Sequence, residues 1–141
     1  MNKYLTRKIL EMRKQILVKV CGNVYQLLFL SCGCNNCCTF CNYGFDYDLT
    51  KELVMPVLEQ IPFEQYDIGI LELEANGSFL SEREIPYDLF IATLEFIKKK
   101  DLHIPEIAIE THYKTITEKK LQDIRRILGY DQVVTFELGF E

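Results

Sequence analysis

The chain has no tryptophan, only two histidines, no surplus of basic residues and no charge-free apolar run long enough to cross a bilayer. Each shortage removes a class of protein. A membrane-spanning helix needs about 20 consecutive apolar residues, so the 48% hydrophobic content of these 141 positions reads as the core of a soluble single domain without a membrane partner. Nine Phe and eight Tyr supply the large side chains of an ordinary globular interior. A net charge of −5 argues against a nonspecific nucleic-acid binder, which must neutralise phosphates with Lys and Arg, and lends no support to an RNA substrate without ruling out a shaped one. Neither histidine has a metal-ligand spacing. His103 reads as a loop residue and His112 as adjacent to a site at most. No linker-like Pro/Gly/Ser stretch or low-complexity segment marks a boundary, so residues 1–141 are expected to form one domain. No secretory leader is evident, and six cysteines in its absence point to a reducing cytoplasm where thiolates stay available to metal.

What is present is a cysteine-rich loop. Cys34, Cys38 and Cys41 follow the spacing C-x3-C-x2-C, with Phe40 directly before the last thiol, just after an apolar strand over Gln26 to Leu30. Three thiolates on one short loop suit a 4Fe-4S cluster with one iron left open, where most such clusters are closed by four. An open coordination position is where chemistry happens, as in catalytic zinc sites. The run from Cys34 to Cys41 also parses as two abutting C-x2-C pairs, a zinc-like pattern. Zinc knuckles of that type need a dozen or more residues between the pairs, and here there are none. A disulfide framework is weaker still for a chain with its own core. Cys21 reads as a small buried residue. Cys32 and Cys37 stay open as spare ligands or mere neighbours.

With this triplet the chain resembles the radical S-adenosylmethionine enzymes. The resemblance implies that the amino and carboxylate groups of S-adenosylmethionine chelate the open iron. An electron from the reduced cluster then cleaves the sulfonium to a 5′-deoxyadenosyl radical, which abstracts hydrogen from a substrate. It also implies an electron donor of flavodoxin or ferredoxin type. Phe40 matches an aromatic near the adenine.

The rest of the chain alternates. Tyr4 to Val20 is loosely amphipathic and predicts a leading helix within residues 1–20. Thr50 can cap a helix to about Ile61 that Pro56 kinks or starts late. Asp67 to Glu74 reads as a strand broken by Ala75 to Ser78, and Leu89 to Lys100 as a helix with lysines in its last turn. Glu106 to Thr111 is a further strand. Thr115 and Glu118 resemble a capping box for a helix to Leu128 closed by Gly129, before a final strand over Val133 to Leu138. Such βα alternation implies an α/β fold with parallel strands, whose carboxyl ends carry the site if the sheet is a barrel.

In the resembled family a glycine-containing segment after the second strand contacts the methionine amino group. Here it corresponds to Asn76, Gly77 and Ser78, with Asn76 in place of the first glycine. The run Gly77-Ser78-Phe79-Leu80 with Glu84-Ile85-Pro86 behind it is similar to the subgroup of the Elongator catalytic subunit and the archaeosine-forming enzymes. Glu110 matches an acidic residue that reaches the ribose hydroxyls, and Glu137 to Glu141 a segment that also approaches the nucleoside. Six βα units make the family's partial TIM-type barrel, and this chain carries about four strands of it. The expectation is thus a radical S-adenosylmethionine core, incomplete or split, with a second chain completing the barrel as one option. Independent catalysis is left open. An iron-sulfur electron carrier and a zinc-binding interaction module are the alternatives.

Overall fold

The computed structural model describes residues 8–12, 15–31 and 48–139, the first of these segments by its backbone alone. Six strands form one sheet: β1 (Lys8–Met12), β2 (Ile16–Cys21), β3 (Val24–Phe29), β4 (Ile70–Ala75), β5 (Glu106–His112) and β6 (Val133–Gly139). They lie side by side in chain order. β1, β2 and β3 pair antiparallel, and β3 to β6 are all parallel.

The leading helix expected over Tyr4 to Val20 is not there. Lys8–Met12 and Ile16–Cys21 are instead two strands of a β-meander with β3. Burial explains why: Ile16 and Val18 are sealed in the core while Leu17 and Lys19 at the alternate positions are half-buried, a period of two that β-branched residues favour. Gly22-Asn23 closes the β2–β3 hairpin in two residues, and Gly22 takes the positive φ of 62° that such a turn requires at its first position.

From β3 onward the expected alternation holds. Helix α1 (Lys51–Glu59) starts at Thr50, whose hydroxyl accepts from the Leu53 amide at 3.3 Å, and it continues through Pro56. Helices α2 (Tyr87–Lys100) and α3 (Glu118–Leu128) follow β4 and β5. The cap of α3 is Thr117, not Thr115, and Gly129 ends that helix with φ 89°. α1 packs on α2 and α2 on α3. Strand order runs straight from β3 to β6 without the reversal of a doubly wound sheet, so right-handed crossovers set all three helices on one face.

The core fills the space between that helix layer and the facing side of the sheet. Leu27, Phe29, Leu71, Leu73, Ile107 and Ile109 from the strands meet Val54, Leu58, Leu89, Leu94, Ile124 and Leu128 from the helices. The alternate strand positions, Gln26, Glu72, Glu74, Glu110 and Glu137, therefore belong to the opposite face. The chain is an α/β protein with a mostly parallel sheet. Among the described residues no helix is long and apolar enough to cross a membrane.

Candidate functional site at the carboxyl ends of the parallel strands

Three polar groups meet where β3, β4, β5 and β6 end. The first ties the end of β3 to the loop after β4. Ser31 donates its hydroxyl to the Glu84 carboxylate at 2.8 Å, and the amides of Gly77 and Ser78 donate to its two oxygens at 2.6 and 2.7 Å. Asn76 closes the knot: its amide donates to the Ser31 hydroxyl at 3.2 Å and its side chain to the Ser31 carbonyl at 3.0 Å. Glu84 is 4% exposed. Burial pushes its carboxyl above the ordinary range, and the bonds from Ser31, Ser78 and Gly77 partly offset this.

The peptide planes of this loop carry a consequence for recognition. A trans peptide sets its N–H and C=O in opposite directions. With the Gly77 and Ser78 amides aimed at Glu84, the carbonyls of Asn76 and Gly77 point away from it. The loop therefore spends these two donors on Glu84.

The second group is a hydroxyl cluster. Ser78 Oγ lies 2.5 Å from Thr111 Oγ1 and 3.0 Å from Thr115 Oγ1 and accepts from the His112 amide at 3.0 Å. Thr115, expected to cap α3, is used here instead. Lys120 on α3 sits beneath, donating to the carbonyls of Leu80 at 2.5 Å and Thr115 at 3.0 Å. Desolvation pulls its ammonium pKa down. Lys120→Met strips both carbonyls of their partner in a buried setting. It is expected to cost about 2 kcal/mol in urea unfolding, since an unmet buried group costs more than a bond contributes.

The third group lies on the face of the sheet opposite the helices. Glu74 on β4 is 5% exposed and Glu72 is 8% exposed, with Gln26 of β3 donating to both. Glu110 and Glu137 are direct partners across β5 and β6. Oxygens of Glu72, Glu74 and Glu137 lie within 4.8 Å of one another, a set able to hold a metal ion. Burial, then the hydrogen bond and charge of Glu110, then the charge of Glu72, push the Glu74 carboxyl up from 4.5 to about 9, so it keeps its proton at neutral pH.

A carboxyl raised in this way binds more protons folded than unfolded. The stability it allows is complete below pH 4.5 and is lost as pH climbs from 4.5 to about 9. Glu74→Gln, which keeps the shape without the charge, is expected to stabilise the fold by about 2 kcal/mol at pH 8 and to leave it unchanged at pH 4. Thermal melts of both proteins across that range check the slope.

Of the site residues expected from sequence, the structure brings Asn76, Gly77, Ser78 and Glu110 to one end of the sheet. Phe79 links them, its amide donating to the Glu110 carbonyl at 3.1 Å. Cys34, Cys38, Cys41 and Phe40, with Cys32 and Cys37, lie outside the described residues, as does Glu141. The cysteine segment leaves the described chain at Ser31 and returns at Asp48, just before buried Leu49. Cys21, expected to be buried, is half-buried at the opposite end of β3, where it pairs with Val24. His112 ends β5; its Nδ1 accepts from the Lys114 amide while its buried Nε2 has no partner among the described residues. Glu72, Glu74 and Glu84 were not anticipated. The alternation Glu72-Leu73-Glu74 was the available signal for the first two.

No family model matches the chain, and no solved structure matches it. It is 29% identical over 111 residues to MJ0550 of Methanocaldococcus jannaschii, an uncharacterized protein. That alignment covers 72% of this chain and 29% of the relative. The chain thus spans less than a third of the length of the curated relative it matches.

Proposed function

We propose that this chain is a radical S-adenosylmethionine domain, with a 4Fe-4S cluster held by Cys34, Cys38 and Cys41 and S-adenosylmethionine bound beside it. The observation that carries the proposal is the knot of Ser31, Asn76 and Glu84. It joins the residue that leads into the cysteine segment to the very loop that the sequence motif assigns to the methionine amine. The donor set suits the cluster: three thiolates for four irons leave one position for an exogenous ligand. When bound, the cluster and the sulfonium supply one-electron chemistry that no side chain provides.

The protein's own part is recognition and shielding. The Gly77 carbonyl points away from Glu84, and a carbonyl is the acceptor that an ammonium group needs and a carboxylate does not. Glu110 offers a carboxylate at the end of β5 for vicinal hydroxyls, next to a Glu74 that stays neutral and so adds no second negative charge at pH 7. The straight strand order and one-sided helix layer support the first part of a partial barrel, whose inner lining is the face that carries Gln26, Glu72 and Glu74. In that reading β6 is an edge that a further strand continues, from this polypeptide or another.

Anaerobic reconstitution followed by iron and sulfide analysis tests the proposal. About four of each per chain are expected, retained in Cys32→Ser and Cys37→Ser. Stoichiometric zinc without iron or sulfide would leave the interaction-module reading in its place, and loss of the cluster in Cys37→Ser would leave an electron carrier with four protein ligands.

A further inference from the structure

We infer that two copies of this chain join edge to edge through β6, antiparallel, about a two-fold axis at Phe136. The inference stands on β6 and its surroundings and is independent of the function proposed above. Among the described strands β6 pairs with β5 alone, which leaves its other edge facing outward. Proteins usually guard such an edge with a bulge, a proline or lysines. At the other end of the sheet β1 has a bulge between Ile9 and Glu11. β6 reads Val-Val-Thr-Phe-Glu-Leu-Gly, with neither proline nor lysine, and its register with β5 runs unbroken over all seven residues.

Apolar surface gathers along the same edge. Of six large hydrophobic side chains exposed among the described residues, four lie here: Tyr130 just before β6, Val133 and Leu138 on it, and Leu121 on α3. Val133 is 52% exposed and Leu138 40%. Leu121 stands on the flank of α3 turned away from Lys119 and Asp123, which meet Tyr87 of α2. It therefore faces the open end of the helix layer. Clustered exposed apolar side chains mark an interaction surface where scattered ones do not.

The sequence of β6 says which partner fits. Directly opposite residues of an antiparallel pair share one face of the sheet. With the two-fold at Phe136, Val134 meets Leu138 of the second copy and Phe136 meets its own counterpart. These three are the register partners of Ile109, Ile107 and Thr111, so they extend the apolar helix side of the sheet. On the other face Thr135 meets Glu137 of the second copy, and Val133 meets Gly139. All seven residues pair. A slide of two residues in one direction sets Glu137 against Glu137, a like-charge pair, and in the other sets it against Val133. A slide of one puts the helices of the two copies on opposite faces. The same two-fold sets α3 of both copies side by side, where Leu121 is covered.

Analytical ultracentrifugation of the full chain under reducing conditions tests this. The expected species is a reversible dimer of twice the 16.6 kDa chain mass. Leu138→Lys is expected to raise the dissociation constant by about tenfold or more with the circular dichroism of the fold kept. Thr135→Glu, which faces Glu137 in both halves of the interface, is expected to raise it by about tenfold, and Thr135→Lys to lower it by about threefold. Where Leu138→Lys does not fold, the two Thr135 variants decide. A wild-type monomer at every concentration up to about 0.2 mM overturns the inference and leaves β6 to a further strand of the same polypeptide. A dimer indifferent to Leu138→Lys, or shifted alike by both Thr135 variants, overturns it too.

Discussion

Cys38→Ser protein, reconstituted anaerobically, is expected to retain less than about a tenth of the wild-type iron while keeping its fold. Even outer-shell partners of a metal site are worth about 10- to 100-fold in affinity, and a thiolate that bonds iron directly is worth more. A serine hydroxyl does not ionise in its place near neutral pH. The fold is expected to survive because strands and helices pack a buried core among the described residues, with Leu27, Phe29, Leu71, Leu73, Leu89 and Leu94 each at most 1% exposed. Iron analysis and the charge-transfer absorbance of the cluster read the loss, and a thermal melt of the unloaded protein reads the fold. Cys37→Ser is the companion measurement. Equal loss in both variants would mean that the two cysteines are equivalent ligands, and the open iron on which the proposed chemistry depends would not exist.

Phe79→Ala is expected to destabilise the protein by about 3–5 kcal/mol, the range for emptying a buried aromatic site. Phe79 has no exposed surface and stands between two other rings, Phe29 at 5.3 Å and Phe90 at 6.3 Å in edge-to-face geometry. Phe29 lies two residues before Ser31, and Phe79 follows Ser78. The pair is thus the apolar footing of the polar knot above it. Urea unfolding should show the midpoint falling with the slope kept. A change below about 1 kcal/mol would mean that the site collapses around the truncation, contrary to the tight packing inferred here. The same variant should loosen the 76–80 segment, because that loop would lose the ring that anchors it.

Much of this architecture was legible in the residues. Thr50 and Gly129 mark helix ends by chemistry that is local, a hydroxyl for an orphan amide and a residue that tolerates positive φ. β4, β5 and β6 announced themselves as short apolar runs between turn signals. The hairpin of β2 and β3 was missed although its signal was present: Gly22-Asn23 between two β-branched or apolar runs. The scattered leucines and isoleucines of the first 17 positions fit a helical spacing loosely enough to hide it, and only burial of Ile16 and Val18 against the helices decides the period. Thr115 lies two residues before the true cap, and its hydroxyl meets Thr111 and, across 37 positions, Ser78, a partner that no local pattern shows.

The site divides along the same line. Asn76, Gly77, Ser78 and Glu110 were readable because motif and strand end coincide. Glu72, Glu74 and Glu84 were not, since carboxylates on alternate strand positions or in a charged loop ordinarily face water. Gln26 reaches Glu72 and Glu74 only through the parallel register of β3 with β4, and Ser31 reaches Glu84 across 53 positions. Such partners are set by tertiary register, which no local pattern encodes.

Low-temperature electron paramagnetic resonance of the reduced, reconstituted protein, recorded with and without S-adenosylmethionine, tests the central claim most directly. A reduced 4Fe-4S signal whose shape shifts when the sulfonium is added is the expected result, since binding to an open iron changes its ligand field. A cluster signal identical in both spectra would contradict the proposal and leave a closed cluster with a fourth protein ligand.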